Sequence, residues 1–182
     1  MGWAGDIARG CRTAPLGRRG LLRGLAGAAL APRLGWSAVL PDKADRILVF
    51  KADRLLHLVK DERVFATYPI ALGGEPVGPK RRQGDGRTPE GRYVIDGKNP
   101  ASTYHLALHV SYPNQADLAR ARKAGVNPGG DICVHGLPKG YEALDPIAFL
   151  IDWTRGCIAV SDRAIEEIWD RVDTGTPIEI RA

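Results

Sequence analysis

Three short apolar runs follow one another between residues 46 and 72, and charged residues separate them. The runs span residues 47–50, 55–60 and 64–72, and Lys60-Asp61-Glu62-Arg63 marks the turn between the second and the third. Runs of this length are typical of β-strands, and polar residues between them are typical of the turns of a meander. We therefore predict that the chain folds, from Arg46 onward, as a mostly β domain.

The rest of this domain is predicted to hold more strands and two or three short helices. The strand expected over 104–112 alternates, with apolar residues on one face and His105 and His109 on the other. Two helices have recognisable N-caps, Asn114 and Ser161, and the second carries an apolar stripe. The strands are predicted over 92–96, 104–112, 131–135 and 177–181, and the helices over 114–124, 145–151 and 161–172.

Residues 75–91, called the polar loop below, interrupt this pattern. They are rich in Gly, Pro, Arg and Lys, and this composition predicts a long loop rather than a core element. Loops of this length inside a compact domain are often functional. The run Lys80-Arg81-Arg82 within it is either a surface for an anionic polymer or a solvated charge run, and the sequence leaves both open.

The net charge of +5 belongs to the N-terminal segment. Residues 1–40 contain six arginines and one acid, Asp6, whereas the remaining residues hold 20 basic and 20 acidic side chains. A nucleic-acid surface requires a basic excess clustered on the folded domain. The balanced charge of the domain therefore argues against nucleic acid as a partner.

Residues 1–40 have the layout of a bacterial export signal. Arg18 and Arg19 precede a short apolar run, which resembles the twin-arginine export motif. This run is too short to span a bilayer as a helix. We expect cleavage after Ala31 or Ala38 and a periplasmic or cell-envelope location, although a disordered basic tail is the alternative.

The cysteines point to thiol chemistry. Three cysteines are too few for a disulfide framework, and Cys11 lies in the leader. A thiol becomes a strong nucleophile when a nearby imidazole promotes its ionisation, and Cys157 and His135 can supply this pair. The N–H groups of Gly156 and Cys157 are candidate donors to an oxyanion. From the pattern alone, a buried core cysteine and a hydrogen-bonded histidine are the more common interpretations.

Three motifs resemble the L,D-transpeptidase catalytic domain, the YkuD-like family of bacterial cell-wall enzymes. They are His135-Gly136 at a strand end, Thr154-Arg155-Gly156-Cys157, and the turn Thr88-Pro89-Glu90-Gly91 before a strand. The resemblance extends over residues 46–181, which we take as the catalytic domain. It implies a mostly β, sandwich-like fold with two or three short helices.

The resemblance also implies a mechanism without a metal or cofactor. Cys157 would attack a tetrapeptide stem of peptidoglycan, with His135 as general base and acid and the Gly136 carbonyl orienting the imidazole. Gly156, Arg155 and Thr154 would line the acyl site, although Arg155 is equally acceptable as a solvated loop residue. A thioester would form and pass to an amine acceptor. We expect a monomer that binds stem peptides and is inhibited by carbapenem-type β-lactams.

Two departures from the family bear on the acceptor. Ala159 stands where many members have Arg or Asn, and residues 138–153, called the insert below, lengthen the spacing from His135 to Cys157. The alternatives are therefore a cell-wall hydrolase with the same Cys–His pair, or a wall-binding domain without activity.

For most of the remaining side chains that could take part in chemistry, the sequence leaves more than one interpretation open. Cys133 shares a strand face with His135, so it is either a small buried residue, a disulfide partner of Cys157 or, least favoured, a metal ligand. His105 and His109 either line the cleft or face solvent. Trp153 and Tyr141 either form cleft walls or fasten the insert to the core. His57 is expected to be structural.

Overall fold

The computed structural model describes residues 43–182, so the predicted leader lies outside the described residues. One sheet has the strand order β3-β2-β1-β8-β4-β5-β6-β7, in which β1–β8 and β6–β7 are parallel and the other neighbours antiparallel. No helix in this part of the chain is long and apolar enough to cross a membrane. The strands are β1 (Arg46–Phe50), β2 (Leu55–Lys60), β3 (Arg63–Pro69), β4 (Gly91–Ser102), β5 (His105–Val110), β6 (Cys133–His135), β7 (Ile158–Ala159) and β8 (Pro177–Arg181).

The predicted mostly β class is confirmed, and the strands share one hydrophobic core. Alternating residues of the strands enter this core, as Ile47 and Val49 of β1 do with no exposed surface. Helix α2 (Asp162–Arg171) covers the core beside β5 and β6, and Ile165 and Ile168 of this helix are fully buried. Burial of each such side chain contributes about 1.5–3 kcal/mol before the entropy cost of folding.

Both predicted helix caps are confirmed. In α1 (Gln115–Ala124), the Asn114 side chain accepts from the Asp117 amide, and Gly125 ends the helix with φ 65°. In α2, the Ser161 hydroxyl accepts from the Ala164 amide. These contacts are local in sequence, which is why the pattern was sufficient to find them.

Strand β4 is longer than the predicted 92–96. It begins at Gly91, pairs with β8 up to Val94, and then continues along β5 to Ser102 with two register shifts. Gly97 and Pro100 are unfavourable strand residues, so local propensity indicated an end. Long-range pairing with β5 overrides that propensity, and the extension supplies one edge of the cavity described below.

The insert forms a 3-10 helix over Glu142–Ile147, which begins earlier than the predicted 145–151. The Asp145 carboxylate accepts from the Asp162 amide at 2.6 Å, and this long-range contact fixes the turn to the start of α2. Five large apolar side chains of the insert are exposed by about half or more: Tyr141 55%, Leu144 46%, Ile147 51%, Leu150 67% and Ile151 69%.

Ion pairs of two buried lysines fix the position of the polar loop. Lys80 is only 3% exposed and donates to Asp85 at 2.8 Å, so it is neither solvated nor free to bind a polymer. Burial alone would raise the pKa of Asp85, but hydrogen bonds from the Arg81 amide and the Lys80 ammonium lower it to about 2. Lys51 of the β1–β2 turn is also buried, and it donates to Glu90 at the end of the loop.

Candidate active site

The sheet register brings the two predicted catalytic side chains to one cavity. In the parallel pair β6–β7, Val134 lies opposite Ile158, so Cys157 lies beside the start of β6 and His135. Both side chains line a cavity of about 730 Å³ over the face of β4 to β7. Its other lining residues are Gly97, Lys98, Asn99, Ser102, Tyr104, Ala107, His109, Asp131, Cys133, Trp153, Thr154 and Arg155.

The imidazole of His135 is held in a defined orientation. Its Nδ1 lies 2.7 Å from the Gly136 carbonyl, which can only accept, so Nδ1 carries the proton and Nε2 remains available as a base. The ring is 4% exposed and lies 4.5 Å, between ring centroids, from Tyr104 and 5.8 Å from Trp153. The contact with Gly136 has the geometry that the family resemblance implied. No sequence signal identified Tyr104.

Gly136 has no room for a side chain. A Cβ there would lie 2.4 Å from the Asp162 carboxylate and 3.0 Å from the Ile165 side chain. The same carboxylate oxygen accepts from the Leu137 amide at 2.7 Å. The start of α2 therefore clamps the His-Gly turn, which explains why glycine follows His135.

The thiol of Cys157 lies 3.5 Å from the Asp131 carbonyl, an acceptor, but its other close neighbours are donors that favour its ionised form. The amide of Cys133 donates to Sγ at 3.4 Å. The side chain of Cys133 and then that of His135 lower the pKa of Cys157 by hydrogen bonding, against the opposing effect of burial. This microenvironment is the kind in which cysteines act as nucleophiles.

The backbone amide of Gly156, before Cys157, is not free for the role that the sequence predicted. Gly156 has φ 129°, and its amide donates to Thr154 Oγ1 at 3.1 Å. This N–H is therefore occupied and is not free to meet an oxyanion. Thr154 Oγ1 also donates to the Cys157 carbonyl at 2.8 Å, so Thr154 shapes the turn. Arg155 is exposed and lines the cavity.

The polar loop packs against the turn at residues 154–157. A Cβ on Gly156 would lie 2.6 Å from the Arg87 carbonyl, so the two backbones are in close contact. Thr88 is fully buried, its hydroxyl accepts from the Gly73 amide at 3.2 Å, and its carbonyl accepts from Lys51 at 3.0 Å. The Thr-Pro-x-Gly turn thus anchors the loop that packs against the turn at residues 154–157.

The remaining candidate residues separate into those in the cavity and those outside it. His109 lines the cavity and contacts Asp96 at 2.5 Å, whereas His105 contacts Glu166 at 2.8 Å on the α2 side. His105 has φ 60°, and this left-handed conformation breaks the alternation that predicted one shared face. Trp153 lines the cavity, as one interpretation proposed.

Tyr141 lies elsewhere, in an apolar groove of about 550 Å³ that the insert forms outside the cavity. His57 contacts Thr67 on the neighbouring strand at 2.8 Å. Cys133 and Cys157 are both free thiols. Within residues 43–182, no three His, Cys, Asp or Glu side chains are arranged to hold a metal ion.

Comparison with known proteins shows which family and which proteins the chain is similar to. The family model of the L,D-transpeptidase catalytic domain, YkuD, matches residues 44–180. The protein named "Putative L,D-transpeptidase YafK" from Escherichia coli (strain K12) is 29% identical over 132 residues, which cover 69% of this chain and 46% of that protein. The chain thus spans about half the length of the curated relatives it matches.

Two solved structures are similar over most of the chain. The helical cell shape determining protein Pgp2 from Campylobacter jejuni has a TM-score of 0.58 and 28% identity, covering 78% of this chain and 52% of that chain. Bd1075 from Bdellovibrio bacteriovorus has a TM-score of 0.52 and 28% identity, covering 75% of this chain and 47% of that chain.

Proposed function

This chain belongs to the L,D-transpeptidase catalytic domain family, and we propose that it is a peptidoglycan L,D-transpeptidase with Cys157 as nucleophile and His135 as base and acid. One observation carries the proposal. The thiol of Cys157, whose pKa is lowered, lines the same cavity as the His135 imidazole. The Gly136 carbonyl fixes Nδ1 of that imidazole. This arrangement supports a thiol acyltransferase, which requires a nucleophile beside an oriented base.

In the first half-reaction, the proton of the Cys157 thiol moves to His135 Nε2, and the thiolate attacks the carbonyl carbon of the L,D peptide bond in a tetrapeptide stem. The oxyanion that forms is met by the Cys157 amide, because the Gly156 amide already donates to Thr154. The carbon–nitrogen bond then breaks. His135, protonated on Nε2, gives its proton to the departing D-alanine amine, and a thioester remains on Sγ.

In the second half-reaction, an amine of another stem attacks the thioester carbon. His135 Nε2 takes the amine proton, the carbon–sulfur bond breaks, and the Cys157 thiolate returns. The low pKa of this thiol makes it a good leaving group. Arg155, on the cavity wall, is placed to bind a substrate carboxylate, and Tyr104 and Trp153 bound the space beside the imidazole.

We propose a cell-envelope role for this activity. Pgp2, which resembles the chain at 28% identity, is a helical cell shape determining protein. New cross-links between stems, or attachment of a protein to them, would change wall mechanics and hence cell shape. The twin-arginine-like leader supports export to the periplasm, where these substrates lie.

A hydrolase is the second candidate, and Ala159 is the observation in its favour. Ala159 is 2% exposed and pairs with both His135 and Ala71. This position therefore offers no polar side chain of the kind that many family members have there. With water in place of the amine, the same Cys–His pair would shorten a stem or cut a linkage instead of joining two.

Mass spectrometry of muropeptides incubated with the protein tests the proposal. We expect cross-linked dimers with the wild type and none with Cys157→Ala or His135→Ala. His57→Ala is the matched control, because His57 lies outside the cavity, and it should keep full activity. Shortened stems without dimers would favour the hydrolase. Unchanged muropeptides would overturn both candidates.

A further inference from the structure

A second thiol lies against the nucleophile. Cys133 begins β6, two residues before His135, and the pairing of β6 with β7 begins only at Val134 opposite Ile158. The amide of Cys133 is therefore not used by β7, and it donates to Cys157 Sγ at 3.4 Å. The β6–β7 register, continued by one residue, also places Cys133 beside Cys157, and both side chains line the same cavity.

We propose that Cys133 is a positioning residue whose S–H and amide N–H together hold Cys157 as a thiolate. The inference rests on the proposed function, because it takes Cys157 as the nucleophile. It assigns a role that the pattern of His135-Gly136 and Gly156-Cys157 does not contain. A thiol is a weak donor to neutral groups, but hydrogen bonds to an ionised acceptor are stronger than those to a neutral one.

The surrounding charges decide which sulfur keeps the proton of this pair. Asp131 and Asp96 lie near Cys133, and a second anion next to them is disfavoured, so they help to keep Cys133 protonated. The hydrogen bond with Cys157 and burial act in the same direction and raise the pKa of Cys133. Cys157 instead has His135 beside it, which favours the anion.

Other ionisable groups near Cys133 and Cys157 come from β5 and from the turn at residues 154–157. His109 lies directly opposite Cys133 in the β5–β6 register, and it contacts Asp96 at 2.5 Å. Arg155, two residues before Cys157, lines the same cavity. The Asp131 carbonyl lies 3.5 Å from Cys157 Sγ and disfavours an anion there, so the thiolate depends on His135 and on the donors of Cys133.

Holding the thiolate serves both half-reactions of the proposed mechanism. In the first, the attacking sulfur is already ionised. In the second, the sulfur leaves the thioester as an anion, and the Cys133 S–H donor is in place to stabilise it. The donor is independent of His135, which is then free to take the proton of the acceptor amine.

The rate of iodoacetamide alkylation at Cys157, measured against pH by peptide-resolved mass spectrometry of the full chain, tests this role. Cys133→Ala removes the thiol donor but keeps the amide, so we expect the apparent pKa of Cys157 to rise by about 1. At acidic pH, below both pKa values, its alkylation should then slow about tenfold. Cys133→Ser restores a donor and should remain within about threefold of the wild type.

An unchanged profile in Cys133→Ala would overturn the inference, because the side chain would then only fill space. Equal displacement of the profile in Cys133→Ala and Cys133→Ser would also overturn it, since packing rather than donation would be responsible. If Cys133→Ala fails to fold, Cys133→Val replaces it, because valine also lacks a donor. The assay needs no wall substrate, so its result is independent of whether the chain makes cross-links.

Discussion

The polar loop and the insert are the two long irregular segments beside the cavity, and they are built in opposite ways. The polar loop buries polar groups, since Lys80 is 3% exposed and Thr88 is 0% exposed. The insert exposes apolar groups, since Leu150 is 67% exposed and Ile151 is 69% exposed. Composition alone would assign the first segment to solvent and the second to the core.

The difference follows from what each segment contacts. The Arg87 carbonyl of the polar loop is in close contact with Gly156. The position of the loop therefore determines the position of the turn at residues 154–157. Ion pairs and hydrogen bonds are directional, and they fix such a loop without strand pairing. The insert reaches the cavity through Trp153 and contacts α2 and Arg54 through Asp145 and Asp152, but its exposed apolar side chains lie outside the cavity. We therefore expect stability and catalysis to depend on the polar loop far more than on the apolar side chains of the insert.

The largest effect is expected at Lys51, the buried ammonium that anchors the end of the polar loop. Lys51→Met would leave the Glu90 carboxylate and the Gly78 and Thr88 carbonyls without this donor. Loss of one partner of a buried ion pair typically costs about 3–5 kcal/mol in the free energy of unfolding, which urea denaturation would measure.

Lys43→Met is the matched control, because Lys43 forms a half-exposed ion pair with Asp173. This variant should lose less than about 1 kcal/mol. Equal losses in the Lys43 and Lys51 variants would contradict the anchoring role of the polar loop.

The second-largest effect is expected at Gly156, where the polar loop contacts the turn before Cys157. Gly156→Ala would place a Cβ 2.6 Å from the Arg87 carbonyl at a positive φ of 129°. Displacement of Cys157 by about 1 Å should lower kcat/KM about 100-fold.

Gly140→Ala separates this clash from backbone strain. Gly140 lies in the insert with φ 90°, and a Cβ there would meet no atom within 4 Å. We expect a stability cost of about 1–2 kcal/mol from the left-handed conformation and little change in kcat/KM. If the two variants lost activity equally, the contact with the polar loop would not be what positions Cys157.

The smallest effect is expected at Leu150 in the insert. Its side chain is 67% exposed, so Leu150→Ser should change the free energy of unfolding by less than about 0.5 kcal/mol. Leu56→Ser, in the core strand β2 with no exposed surface, is the contrasting variant and should be strongly destabilising. A large loss at Leu150 would show that the insert, too, holds the domain together.

Sequence patterns were sufficient wherever a contact is local. Strand β2 was predicted with its observed bounds, and the Asn114 and Ser161 caps satisfy amides three residues away. The order of strands in the sheet was not predicted, because pairing such as β1 with β8 joins distant segments.

The same distinction applies to the candidate site. Cys157 and His135 were identified by their glycine neighbours and the family resemblance, and the sheet places both in one cavity. The occupied Gly156 amide and the burial of Lys80 depend on contacts formed only in the fold. Tyr104 was missed because nothing in the sequence around it marks the residue that covers the imidazole.

Direct detection of the acyl-enzyme tests the central claim, that Cys157 is the nucleophile. The wild-type protein would be mixed with a tetrapeptide-stem muropeptide, quenched in acid, digested and analysed by mass spectrometry. We predict a thioester on the Cys157 peptide, with the mass of the stem minus D-alanine, and none on the Cys133 peptide. Turnover without an adduct on Cys157, or turnover that persists in Cys157→Ala, would contradict the account.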